Sequence, residues 1–181
     1  MRVSHGGYIS DMFDINGLDF RVYHFVKGNR PARHAAVFGT EIIMPTGFET
    51  DAVWTSQGRG FQMGVVQGEG IVIHLTGQVA WSADETIVGK DDVAAQTRQI
   101  LANIGKLLQR VGGRLSDIVS ITTYYTDHAQ LPLIQKVRAA YFVAGQEPAS
   151  TSVMVAGLGH EDFLVEMTPI AVIPAERYIA P

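Results

Sequence analysis

The sequence predicts an α+β domain: one mixed β-sheet with two helices packed on a single face. Three observations predict it. Apolar residues recur at three- and four-residue spacing from Val93 to Val111, between an acidic start and a glycine stop. Runs of β-branched and aromatic residues stand on either side of that stripe. Both sides of those strands carry apolar residues, so each sheet face needs a cover. Two helices can cover one face. Another copy of the chain is the simplest cover for the other.

Residues 1–50 read as an N-terminal extension and residues 51–181 as the α+β domain. Gly6-Gly7, Gly28-Asn29-Arg30-Pro31 and Pro45-Thr46-Gly47 break the extension into short pieces. Between the breaks, Leu18, Phe20, Val22, His24 and Val26 alternate with Asp19, Arg21, Tyr23 and Phe25, the period of one strand. It would be an added strand or a subunit-contact arm.

The pattern becomes firm at Phe61. Gly64 to Gln67, a Gly68-Glu69-Gly70 turn, and Ile71 to Thr76 predict a β-hairpin. Asp91 and Asp92 open the first helix, where the positive end of the helix dipole favours them. Its stripe is Val93, Ile100, Leu101, Ile104, Leu107, Leu108 and Val111, about five turns. Gly112-Gly113 stops it. Ile118 to Thr126 predicts a strand. Leu131-Pro132 starts a second helix that runs to Phe142, since proline fits a first turn. Thr151 to Ala156 and Phe163 to Ile173 predict the last two strands.

Composition narrows the functional classes. The 181 residues are 46% hydrophobic, enough for one sizeable core. Eighteen acidic residues against 14 Lys and Arg give a formal net charge of -4, which disfavours a nucleic-acid partner. With no cysteine there is no disulfide and no thiolate metal site. None of the six histidines falls at a compact metal-ligand spacing, so no metal is expected. No apolar run is long enough to span a bilayer, and the N-terminus lacks a secretory pattern. A cytoplasmic protein with no membrane partner is the expectation.

Several segments carry a resemblance. They are Leu75-Thr76-Gly77-Gln78, Asp92 to Thr97, Asn103-Ile104, Gly112 to Val119, Tyr141-Phe142, Pro148-Ala149 and Val165-Glu166-Met167 leading to Ile170-Ala171-Val172. In this order they resemble the Rid family, reactive intermediate deaminases also called YjgF-type or L-PSP endoribonuclease-like proteins. The resemblance covers residues 60–174. It implies a chorismate-mutase-like fold and a homotrimer with a sheet-lined centre, with sites in the clefts between subunits. It also implies hydrolysis of an enamine or imine to a 2-keto acid and ammonia, without a cofactor.

Residue by residue, the resemblance makes Glu166 the carboxylate that orients water. Thr76 keeps a pocket hydroxyl, Gln135 replaces an asparagine on the second helix, and Ser152 lends its backbone. Phe61 is the aromatic that closes the pocket. Ser150 departs from the pattern: it stands where the family's deaminases carry a carboxylate-binding arginine. A neutral hydroxyl cannot form that bidentate, charge-assisted pair. Arg59, Arg114 and Arg138 are alternative cations, each read as a surface charge. His74 reads as a core or interface residue, and His128 and His160 as loop residues.

Glu166 lies among Leu164, Val165, Met167, Ile170 and Val172, where a carboxylate needs a donor, a cation or water. The expected function is a small-metabolite enzyme, deaminase-like, of altered specificity. The alternatives are a non-catalytic metabolite-binding module and, against the acidic balance, an endoribonuclease.

Overall fold

The computed structural model describes residues 45–181 and, before them, the backbone of two strands, β1 (Ser10–Ile15) and β2 (Leu18–Tyr23). The chain divides into two compact units, Met1–Phe38 and Gly39–Pro181. In the first unit β1 and β2 pair antiparallel, Ser10 opposite Tyr23 and Ile15 opposite Leu18. The strand expected over residues 18–26 is therefore one arm of a hairpin. Residues 24–26 lie outside the described residues.

The second unit holds β3 (Thr46–Phe48), β4 (Gly64–Val66), β5 (Ile71–His74), α1 (Val93–Arg110), β6 (Ile118–Tyr125), α2 (Leu131–Ala139), β7 (Ala149–Met154) and β8 (Val165–Ile173). Four strands form one mixed sheet in the order β5-β8-β6-β7. β8 is antiparallel to β5 and β6, and β6 is parallel to β7. A parallel pair needs a crossover, and α2 supplies it between β6 and β7. This is the predicted α+β class, with both helices contributing to one buried core.

The predicted hairpin does not form. β4 pairs with β3, and β5 pairs with β8. A glycine makes room at each of these pairings. A Cβ on Gly64 would strike the ring of Phe48, its cross-strand partner, so the ring lies over the bare glycine. A Cβ on Gly70 would meet the carbonyl of Ile173, so the chain approaches the end of β8 closely just before β5 begins.

Asp92 caps α1, its carboxylate accepting from the amides of Ala94 and Ala95 at 2.9 Å. The buried stripe is Val93, Gln96, Thr97, Ile100, Leu101, Ile104 and Leu108. Leu107 is a correction, at 42% exposed beside the stripe rather than within it. Gln96 is buried without loss because all its polar atoms are bonded. Its amide donates to the carbonyls of Asp162 and Gly89, and its oxygen accepts from the amide of Leu164. Opposite α1, the sheet presents Ile118, Ile121, Tyr125, Val165, Met167 and Ala171.

The segment after β8 locks the end of α1. Gly112 takes φ +81°, and a Cβ there would collide with the carbonyl of Arg177. The amide of Ile179 donates to the carbonyl of Val111 at 3.1 Å. The Arg177 guanidinium clasps the carboxylate of Asp117, which is fully buried. Replacing Arg177 with Met would leave that carboxylate with one backbone donor, the Arg114 amide. Urea unfolding of Arg177→Met should show a loss of about 1.5–3 kcal/mol, the cost of stranding a charged hydrogen-bond partner. An unchanged midpoint would show that the clasp carries no stability.

Candidate functional site

Alternation along β6 divides the candidate residues between two faces. Ile121, Thr123 and Tyr125 are buried under the helices, so Ser120, Thr122 and Tyr124 lie on the helix-free face. Glu166 pairs with Tyr124 and shares that second face. Ser150 and Ser152 pair with Ile121 and Thr123 and share the first. Within one chain, Glu166 and Ser150 are two strands apart and offset by three residues. That is about 10 Å across and about 10 Å along, on opposite sides of the sheet.

On the helix-free face, Glu166 is half-buried against the Thr76-Gly77-Gln78 segment. Gln78 and Met167 exchange two backbone hydrogen bonds, at 2.8 and 3.0 Å, which holds that segment along β8. A Cβ at position 77 would overlap the Glu166 carboxylate, so the glycine is what makes room for it. Thr76 is exposed beside it, with its carbonyl accepting from the Gln78 side chain at 3.3 Å. His74 pairs with Ile170 and is exposed on the same face. His128 opens a short 3-10 helix and His160 lies in a bend, and both are exposed.

The helix-covered face holds a charged group that the sequence reading misplaced. Arg138, a surface charge by its sequence, is only 1% exposed. Its Nη1 donates to Thr123 Oγ1 at 3.1 Å and to Ser150 Oγ at 2.7 Å. Its Nε and Nη2 are buried and have no partner. Burial pushes the guanidinium down to about 10, still cationic at neutral pH. A guanidinium thus reaches the Ser150 hydroxyl from α2. The signal lay in spacing. Ile134 and Arg138 are four apart on one helix and are the two buried residues of α2.

The other candidates fall around Arg138. Gln135 precedes it by three residues on α2 and is half-buried. Gln62 bridges to Ala149 in parallel register, its amide donating to the Pro148 carbonyl at 3.1 Å. By that register Phe61 lies on the side of Ser150, and it is buried. Gly60, at φ +76°, packs directly on Ala139. Arg59 does not turn inward. It stacks 5.4 Å from the Trp54 centroid and 5.7 Å from that of Phe61, and it donates to the carbonyls of Ser56 and Thr55. Arg114 is exposed. Open grooves exist elsewhere, about 350 Å³ beside Gly105 and Arg114 and about 330 Å³ between the helices at Arg98 and Tyr141. Neither is lined by Glu166, Arg138, Ser150, Gln135 or Phe61. Among the described residues no cluster of three or more His, Asp or Glu could hold a metal ion, and no helix is long and apolar enough to cross a membrane.

The family described as Endoribonuclease L-PSP matches residues 60–173. Among solved structures, YyfB from Yersinia pestis, a Rid-family protein of unknown function, is 30% identical with a TM-score of 0.67, the match covering 71% of this chain and 98% of that one. RidA from the Antarctic bacterium Psychrobacter is 28% identical with a TM-score of 0.52, over 58% of this chain and 83% of that one. A member of the YjgF/YER057c/UK114 family from Mycobacterium tuberculosis is 28% identical with a TM-score of 0.50, over 63% and 87%.

The same geometry decides what an arginine introduced at position 150 would meet. Ser150→Arg sets a second guanidinium against the first, with no carboxylate in ion-pair contact among the described residues. Thermal unfolding should show a loss of about 0.5–3 kcal/mol. A stabilised variant would mean that the site tolerates two cations.

Proposed function

Because the chain belongs to the Endoribonuclease L-PSP family, the Rid family, we propose that it is a small-metabolite hydrolase of the enamine and imine deaminase type. In this reading it works as a homotrimer, at clefts between copies. The observation that carries the reading is Glu166. Its carboxylate is half-buried on the uncovered sheet face, fits over Gly77, and makes no hydrogen bond or ion pair among the described residues. An acceptor held without a partner is free to orient water.

The chemistry follows from that position. Glu166 accepts a hydrogen bond from water and takes its proton as the oxygen attacks the carbon of a C=N bond. Passing that proton to nitrogen gives a tetrahedral carbon that bears a hydroxyl and an amine. The hydroxyl then gives up its own proton, by way of the same carboxylate, to the amine, which leaves as ammonia while a carbonyl forms. Water is consumed, ammonia leaves, and no electron acceptor is needed.

The trimer is supported by the same face. Val72 is 44% exposed and Val153 is 38% exposed there, beside Tyr124 and Ile170. Water-exposed apolar strands of this kind are covered by association in soluble proteins. Association also addresses the separation of Glu166 from Ser150, since residues on opposite faces of one sheet share a cleft only when they come from different copies. That same separation favours, as a second reading, a metabolite-binding module without catalysis. The endoribonuclease activity in the family's description gains no support from a chain of net charge -4.

Light scattering at micromolar concentration should give three times the 19.7 kDa chain mass. A monomer would remove the inter-subunit cleft. Glu166→Gln keeps the shape and an acceptor oxygen but removes the base. On any imine the wild type hydrolyses, its rate should fall by about 10²–10⁴-fold while circular dichroism and mass stay unchanged. Wild-type turnover by the Gln variant would make Glu166 structural.

A further inference from the structure

We propose that Arg138 is an anion-recognition group of this chain, binding the carboxylate of a small organic acid through its Nε and Nη2 edge. A guanidinium presents five N–H donors in one fixed plane. Nη1 carries two hydrogens, and both are used, one on Thr123 Oγ1 and one on Ser150 Oγ. The donors that remain are Nε and Nη2, whose N–H bonds run parallel along one edge. That edge is the fork that meets a carboxylate with two hydrogen bonds. Both atoms are buried and unpartnered.

A structural arginine would not be built this way. Buried cations are ordinarily neutralised or fully hydrogen-bonded, because the desolvation cost is otherwise unrecovered. Here the hydroxyls of Thr123 and Ser150 fix the plane of the group but bring no charge. Among the described residues, no Asp or Glu forms an ion pair with it. One positive charge, one free two-donor edge and neutral surroundings match a planar monoanion better than a phosphate dianion. A pre-oriented, uncompensated charge is also the form in which binding sites store instability in the free protein.

The segment around Gly60 to Gln62 packs beside the end of α2 that carries Arg138. Gly60 packs on Ala139, next to Arg138, and Phe61 follows it on the same face. The segment is secured at Gln62, whose backbone bonds to Pro148 and whose side chain donates to Glu147 at 2.7 Å.

The inference concerns binding alone and stands apart from hydrolysis at Glu166. Its test uses the full-length chain, propionate as the carboxylate probe and inorganic phosphate as the comparison, followed by calorimetry and by the NMR signal of the Arg138 Nε–H. Propionate should bind and shift that signal, and phosphate should not compete. Arg138→Met keeps length and apolar contact but removes the fork. It should weaken propionate on the order of tenfold to hundredfold. It should also unfold at the same or a higher temperature than the wild type, because an unpaired charge has been removed. Arg138→Lys, a point charge without the fork, should bind more weakly than the wild type.

Equal propionate binding by wild type and Arg138→Met overturns the proposal. So does a wild type that binds no carboxylate at millimolar concentration, or one that prefers phosphate. An Arg138→Met that retains its fold but melts well below the wild type would make Arg138 a structural residue and overturn it as well. Imine turnover without propionate binding would sink this inference and leave the hydrolytic reading standing. Propionate binding without turnover would do the reverse.

Discussion

Strand β6 is the constraint on which the rest of the molecule depends. It is hydrogen-bonded along both edges, to β8 and β7, so its pleat sets the faces of three strands at once. Ile121, Thr123 and Tyr125 go under the helices, and Tyr124 goes to the open side. Every pairing partner inherits that choice. A slip of one residue would bring Glu166 into the helical core and turn Ser150 away from Arg138. The hydrophobic demand of the Ile121 and Tyr125 positions therefore also determines on which face each of Glu166 and Ser150 sits.

The two faces use polar groups differently. Under the helices, polar side chains are bonded almost completely. Gln96 satisfies its amide and oxygen, and Thr97 donates to the Val93 carbonyl at 2.7 Å. Asp117 is neutralised by Arg177. Against that background, Arg138 stands out as half satisfied. Its hydroxyl partners come from two different strands, so the guanidinium ties α2 to both β6 and β7. On the open face, Glu166 is accommodated by the absence of a side chain at Gly77 rather than by a partner. One charged group is oriented without being neutralised, and the other is admitted without being bonded.

Glycines decide the local path wherever the pattern of apolar residues is indifferent. Gly64 gives its surface to Phe48, and Gly70 lets the backbone meet the end of β8. Gly112 both ends α1 and leaves room for the segment around Arg177. These are close approaches between parts of the chain far apart in sequence. Each glycine is visible in the sequence, but the neighbour that requires it is not.

What the sequence determined by itself was local and periodic. The stripe of α1, its Asp92 cap and its glycine stop were legible because they obey three- and four-residue spacing within one segment. Strands β6, β7 and β8 were legible to within a few residues from their β-branched and aromatic runs, and helix α2 from the proline in its first turn. Family membership was legible from motifs spread over residues 60–173. What only the tertiary structure decided was pairing and long-range contact. β4 left its expected partner for β3 because both strands of a hairpin can find a better edge elsewhere, and composition does not rank edges. Arg138 looked like an exposed helix charge because a sequence shows which residue is cationic, not what lies over it. Its burial came from the crossing of α2 over β6 and β7, which brought two hydroxyls 15 and 12 residues away to one nitrogen.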